Sequence, residues 1–202
     1  PHSARETVGF STEYPWGDYP RQARECDSML AVRRMFDGYD TGVRYADRFV
    51  GALADRLRGL GGWEETAVVI SADHGETLGE LNTYCDHHTA DEHVARVPMI
   101  LRWPALGEVG RGRVHHGLHY QFDVAASMLG LLGGEAPRAW DAAGFADALR
   151  EGRDTGREHL VLTQGAWTCQ RAVRLDDMLC IRTTHDGYHD FPEVMLFDVA
   201  RD

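Results

Sequence analysis

Thr66-Ala-Val-Val-Ile-Ser71 runs without a break into Ala72-Asp73-His74-Gly75-Glu76, and this stretch decides the fold class. A short apolar run rich in β-branched residues reads as a strand buried on both faces. What precedes it reads as a helix from about Asp27 to Gly59. Tyr39, Val43, Ala46, Val50, Leu53, Leu57 and Leu60 recur at alternating spacings of four and three, an apolar stripe expected to face a core. Gly59, Gly61 and Gly62 close that helix. A long helix feeding such a strand is the pattern of an α/β protein. In open parallel α/β sheets ligands bind beyond the carboxyl ends of strands, which is where Asp73 and His74 fall.

Outward from this stretch, residues 1–25 read as an irregular polar approach. Leu78–His88 reads as a loop, Ala90–Ala95 as a short helix, and Pro98–Trp103 as a second buried strand with proline at its start. Gly107–Gly112 is a turn region; Asp123–Leu132 and Asp141–Arg150 read as helices. Beyond Asp154 the pattern changes to short strand-like runs, His159–Thr163, Arg171–Leu175, Met178–Thr183 and Val194–Asp198. Such runs, separated by polar turns, predict a small antiparallel sheet. The expected organisation is therefore a main α/β layer over residues 1–155 and a small antiparallel subdomain over 156–202.

Composition excludes several classes of function. The 202 residues carry a net charge of −11 and every one of the 21 basic residues is arginine. Without lysine there is no Schiff-base chemistry and no P-loop lysine. The acidic balance argues against a nucleic-acid backbone as partner, and no apolar run is long enough to span a membrane. The four cysteines lie far apart with no C-x-x-C spacing, which argues against a zinc ribbon or a disulfide framework and slightly favours a cytoplasmic setting. No serine lies in a G-x-S-x-G elbow, so a serine triad is not indicated.

Chemistry concentrates around the central stretch. Asp73 and His74 are followed by His87, His88 and His93, with Asp86 and Asp91 interleaved, the densest group of metal-capable side chains in the chain. A carboxylate beside an imidazole suits Mn²⁺ or Zn²⁺ and, less usually, Ca²⁺. By spacing alone, Asp73 could equally cap the following turn beside an exposed His74. His87 could serve as a proton donor or anion contact, or simply as a solvated surface residue. His88, His93, His115, His116 and His119 read as surface or partly buried.

Three segments, Tyr39-Asp-Thr-Gly-Val-Arg-Tyr-Ala-Asp47, Val68-Val-Ile-Ser-Ala-Asp-His-Gly-Glu76 and Arg96-Val-Pro-Met-Ile-Leu-Arg-Trp-Pro104, resemble in order and separation the middle and later parts of sulfatases of the alkaline phosphatase superfamily. Gln121-Phe-Asp-Val-Ala-Ala126 and Leu196-Phe-Asp-Val-Ala-Arg-Asp202 resemble its later helix and the start of its terminal motif. The resemblance covers about residues 30–202. It implies a three-layer α/β/α sandwich of alkaline-phosphatase-like type, here partial, with a small C-terminal antiparallel sheet. It further implies one divalent metal ion, calcium first and manganese second, with Asp73 and His74 supplying one pair of ligands. His87, eleven residues before Pro98, takes the position where many members carry a lysine or histidine on the sulfate, both a substrate contact and a candidate catalytic residue. Arg96 is expected to be an ion-pair partner.

The substrate implied is a small-molecule sulfate ester, and a phosphodiester or phosphonate monoester is the alternative. A non-catalytic remnant is a third reading. The family's nucleophile is a formylglycine made within C/S-x-P-x-R, and no cysteine or serine of this chain is followed by proline two residues later. The early Asp-Asp metal pair is likewise absent from these residues. The expectation is that both belong to an N-terminal half of the same domain, that the 202 residues alone are inactive, and that they self-associate through uncovered sheet edges.

Overall fold

The computed structural model describes residues 28–201 apart from 188, so the approach segment expected over residues 1–25 lies outside the described residues. Two compact units are present, one ending at Thr66 and the other spanning Ala67–Asp202.

The described part of the first unit is helix α1, Met29–Gly59, followed by a single turn at Trp63–Glu65. Ser28 caps it, its hydroxyl accepting from the Ala31 N–H at 3.2 Å. Arg56 and Arg58 sit in the last turn, where cations complement the helix dipole. The helix expected from periodicity is present with its end within a residue of the glycines. Its stripe is not a buried face here: Val43 is 55% and Leu53 49% exposed, and the buried residues of α1 are Met35 and Thr41. Periodicity fixed the helix and its stripe without fixing what covers the stripe.

In the second unit, β1 (Val68–Ser71) pairs with β4 (Met99–Arg102), Val68 opposite Arg102 and Ser71 opposite Met99. This pairing is antiparallel, whereas the sequence suggested a parallel arrangement with both strands buried. A two-stranded ribbon has too few neighbours to cover both faces, and Ile100 is 59% exposed. The segment expected as a loop instead holds β2 (Thr77–Leu78) and β3 (Tyr84–Asp86), an irregular antiparallel pair closed by the Thr77 hydroxyl donating to the Asp86 carbonyl at 2.7 Å. Helix α2 (Glu92–Ala95) follows, capped by the buried Asp91 side chain, which accepts from the Val94 N–H at 3.0 Å and from the Thr89 hydroxyl at 2.6 Å.

Beyond β4 come α3 (Gly107–Gly110), α4 (Gln121–Leu131) and α5 (Ala146–Glu151). Asp123, fully buried in the first turn of α4, is the polar centre of this region. Its carboxylate accepts two bonds from the Arg157 guanidinium at 2.6 and 2.7 Å, one from the Tyr120 N–H at 2.9 Å and one from the Ala143 N–H at 2.6 Å. Burial raises the pKa of this group, and the Arg157 bonds together with the two backbone N–H bonds outweigh it, leaving the carboxyl below its ordinary value.

The C-terminal strands β5 (His159–Gln164), β6 (Cys169–Leu175), β7 (Met178–His185) and β8 (Val194–Asp198) form a four-stranded antiparallel sheet in chain order, as the sequence predicts. Strict alternation along β6 and β7 puts Ala172, Leu179 and Ile181 into a core completed by Met195 and by Ala90 from the segment before α2. Among the described residues no helix is long and apolar enough to cross a membrane. The described cysteines, Cys85, Cys169 and Cys180, form no disulfide with one another.

Arg157→Ala strands a buried carboxylate, and urea titration is expected to show a loss of about 3–5 kcal/mol. In the unsubstituted protein the Asp123 contribution is complete above the ordinary aspartate pKa of about 3.9 and is lost as pH falls through its lowered folded-state value. A loss under about 1 kcal/mol for the variant, the size of an exposed pair, contradicts this role.

Candidate functional site

The chain leaves β1 through Ala72 and turns immediately. The Asp73 carboxylate accepts from the His74 N–H at 3.1 Å, and Gln121 Nε2 of α4 donates to the Ala72 carbonyl. Gly75 then packs against the last turn of α2. Its N–H donates to the Val94 carbonyl at 2.8 Å, and a Cβ there would sit 1.8 Å from the His93 carbonyl oxygen, so only glycine fits without movement. The turn presents Asp73 outward, its side chain 89% exposed. Backbone N–H groups of Asp73 and His74, with the His74 imidazole beside it, hold its carboxyl below the usual aspartate value.

His74 Nδ1 lies 2.8 Å from the Gly75 carbonyl oxygen. A carbonyl only accepts, so Nδ1 is the donor here, and Nε2, 3.8 Å from Asp73 Oδ2, is the ring nitrogen left to a ligand. This is the arrangement common to metal-ligating histidines, the other ring nitrogen being held by a backbone carbonyl. Asp73 and His74 therefore offer a compatible oxygen and nitrogen donor for a divalent ion.

His87 follows β3, thirteen residues along the chain, yet its ring stacks on that of His74 with centroids 4.0 Å apart and planes inclined by 24°. Glu76 Oε2 stands 3.5 Å from His87 Nδ1, on the side of the ring away from Nε2. One donor atom each from His74, Glu76 and His87 lies within 4.8 Å of the others. The structure thus brings His74 and His87 together, leaves Asp73 outside that donor group but 3.8 Å from His74 Nε2, and adds Glu76, whose role has no signal beyond its place in the Asp-His-Gly-Glu run. Arg96 pairs with Glu92 at 3.3 Å and is 79% exposed, the ion-pair partner expected of it.

The position of His87 depends on the C-terminal sheet. Gln164 Nε2 donates to the His87 carbonyl at 2.7 Å, the Thr168 hydroxyl donates to the His88 carbonyl, and the fully buried Gln170 accepts from the Ala90 N–H at 2.9 Å. Gln170 Nε2 donates in turn to the Thr183 hydroxyl of β7 at 3.1 Å. Sequence reasoning missed all three residues, which lie about eighty positions from the backbone they hold. Beside His87, the His88 side chain is only 15% exposed; burial pushes its imidazole below the ordinary pKa, against the opposing pull of Asp86.

With this geometry in hand, the comparisons with known proteins fix the family. The family model for Sulfatase matches residues 2–134, so the chain belongs to the sulfatase family. It is 29% identical over 127 residues to the multifunctional alkaline phosphatase superfamily protein PehA of Trinickia caryophylli, covering 60% of this chain and 23% of that protein. Two solved structures share the fold: a protein in complex with its substrate D-glucosamine-2-N,6-O-disulfate (TM-score 0.72, 22% identity, 85% of this chain, 35% of that one), and a phosphonate monoester hydrolase from Silicibacter pomeroyi (TM-score 0.69, 21% identity, 85% and 36%). The fold is that of alkaline-phosphatase-like proteins, with the small antiparallel sheet at its C-terminal end. The chain spans about a quarter of the curated relative and about a third of the solved ones.

Gly75→Ala forces the turn away from α2, and thermal or urea unfolding is expected to register about 1–3 kcal/mol of destabilisation. Unchanged stability contradicts the close approach.

Proposed function

We propose that this chain is the part of a metal-dependent sulfatase that carries Asp73, His74 and His87, and that the whole protein hydrolyses small-molecule sulfate esters. The observation that supports this best is the pairing of the His74 and His87 rings at 4.0 Å beside the Asp73 carboxylate, on turns that leave all three open to a ligand. In this reading Asp73 and His74 hold one divalent ion, calcium or manganese, together with acidic ligands from an N-terminal half of the same domain. That half also supplies the formylglycine nucleophile. The ion, when bound, polarises the sulfate oxygens and offsets their charge.

The chain's own residues bind and orient. His87 Nε2 donates to a sulfate oxygen and favours the more highly charged transition state over the bound ester. Glu76 holds the His87 ring from its other nitrogen, a positioning role. Gly75 and Gln121 fix the turn that carries Asp73 and His74. A histidine outside these residues protonates the leaving alcohol, with His87 the second candidate.

A phosphodiesterase or phosphonate monoester hydrolase on the same framework is the second reading. It is favoured by the Asp-His pair at 73–74, in place of Asp-Asn, and by the likeness to a phosphonate monoester hydrolase. The small sheet over 156–202 serves either reading by gripping the His87 segment.

In the whole protein Asp73→Ala is expected to abolish turnover, and His87→Ala to lower kcat/KM by about 10²–10³-fold, the usual effect of removing one transition-state donor. Steady-state rates on an aryl sulfate and an aryl phosphodiester measure both effects and rank the two readings. Wild-type turnover in Asp73→Ala contradicts the assignment.

A further inference from the structure

Beside the pair described above lies a separate group of donors: Asp86 at the end of β3, His88 two residues on, and His189 in the connection between β7 and β8. One ligand atom from each falls within 4.8 Å of the others, and all three residues are partly buried. We propose that Asp86, His88 and His189 form a second divalent-metal site, taking Zn²⁺, distinct from the Asp73–His74 pair and acting as a clasp between the histidine segment and the C-terminal sheet.

Three observations carry the assignment. The first is the donor set: two imidazoles and one carboxylate, with no lysine or arginine among them, is a borderline nitrogen and oxygen set suited to Zn²⁺. Tetrahedral coordination at about 2.0–2.1 Å puts neighbouring donors roughly 3.4 Å apart; here His88 Nδ1 and Asp86 Oδ1 are 2.6 Å apart and no pair of the three donors is separated by more than 4.8 Å.

The second is the state of His88. Its Nδ1 is buried and, despite that short approach to Asp86, is not aligned for a hydrogen bond with any described residue. A buried ring nitrogen facing a carboxylate without hydrogen-bond geometry is better satisfied by a shared cation than by either group alone.

The third is the support around the donors, which fixes them as metal ligands usually are fixed. The Thr168 hydroxyl holds the His88 carbonyl, and the Trp167 ring lies 5.6 Å from the His88 ring. Asp86 Oδ1 accepts from the His87 N–H at 2.7 Å. His189 stacks on Phe191 at 4.8 Å, its backbone turned by the Asp186 carbonyl accepting its N–H at 3.1 Å. Gly187, at φ +69°, lies against the Trp167 carbonyl in the connection that carries His189. Three protein ligands leave the fourth position to water. The clasp joins residues about a hundred positions apart and therefore removes a large loop entropy on binding. Because Asp86 and His88 flank His87, it also steadies the imidazole next to the first site.

The test is Zn²⁺ titration of the full chain, read by calorimetry and by the Zn²⁺-dependent rise in Tm, in a His74→Ala background that disables the neighbouring donor group. One equivalent is expected to bind with His74→Ala alone. Adding His189→Ala is expected to weaken that equivalent by more than the ~10–100-fold typical of losing a mere supporting contact, and to remove the Tm rise. Should His189→Ala fail to fold by circular dichroism, Asp86→Asn replaces it, since its amide oxygen still accepts from the His87 N–H. No bound equivalent in the His74→Ala chain, or equal affinity with and without His189 or Asp86, overturns the proposal. Either result leaves the Asp73→Ala turnover experiment to decide the sulfatase reading separately.

Discussion

Everything at the candidate site rests on how the sheet β5–β8 grips the backbone of His87–Ala90. Gln164, Thr168 and Gln170 reach from one end of that sheet to three consecutive stretches of a segment that has no regular structure of its own. Gln170 is the most constrained of the three. Its amide is wholly buried, and both ends are used, one on the Ala90 N–H and one on the Thr183 hydroxyl. A buried amide deprived of a partner costs about 1–3 kcal/mol, so the segment and the sheet hold each other in one register. Ala90 completes the bond by entering the sheet's apolar core beside Leu179 and Ile181.

The opposite wall is built by different means. The turn after β1 is held by Gln121 at the start of α4 and by the fit of Gly75 against α2. Helix α4 is in turn fixed by the four bonds to Asp123 and by the Tyr120 hydroxyl, which both donates to and accepts from the backbone of Val161 in β5. The two histidine rings thus meet because both walls end on the same sheet. The small C-terminal layer is part of what positions the candidate site, and not only a lid on the core.

Much of this was legible in the sequence, for physical reasons that differ by element. Short strand-like runs at Arg171–Leu175 and Met178–Thr183, separated by a polar turn, predicted β6 and β7. The three-and-four spacing from Tyr39 to Leu60 predicted α1. Asp73 and His74 stood out through their place after a strand, His87 through the histidines crowded around it, and all three through family resemblance. The antiparallel pairing of β1 with β4 was not legible, since an apolar run carries no direction. Nor was the exposure of Val43 and Ile100, because periodicity reveals a face without its partner. Glu76, Gln164, Gln170 and His189 were invisible for a further reason. Each acquires its role from a partner that only the tertiary structure supplies.

The central claim is that Asp73, His74 and His87 converge on one metal and one sulfate group. The most direct test is an experimental structure of the whole protein with Mn²⁺ and sulfate, with anomalous scattering used to locate the ion. An anomalous peak is expected within coordination distance of Asp73 and His74 Nε2, with a sulfate oxygen hydrogen-bonded to His87 Nε2. A fully occupied ion and sulfate bound elsewhere, with His74 and His87 still stacked and empty, would contradict it.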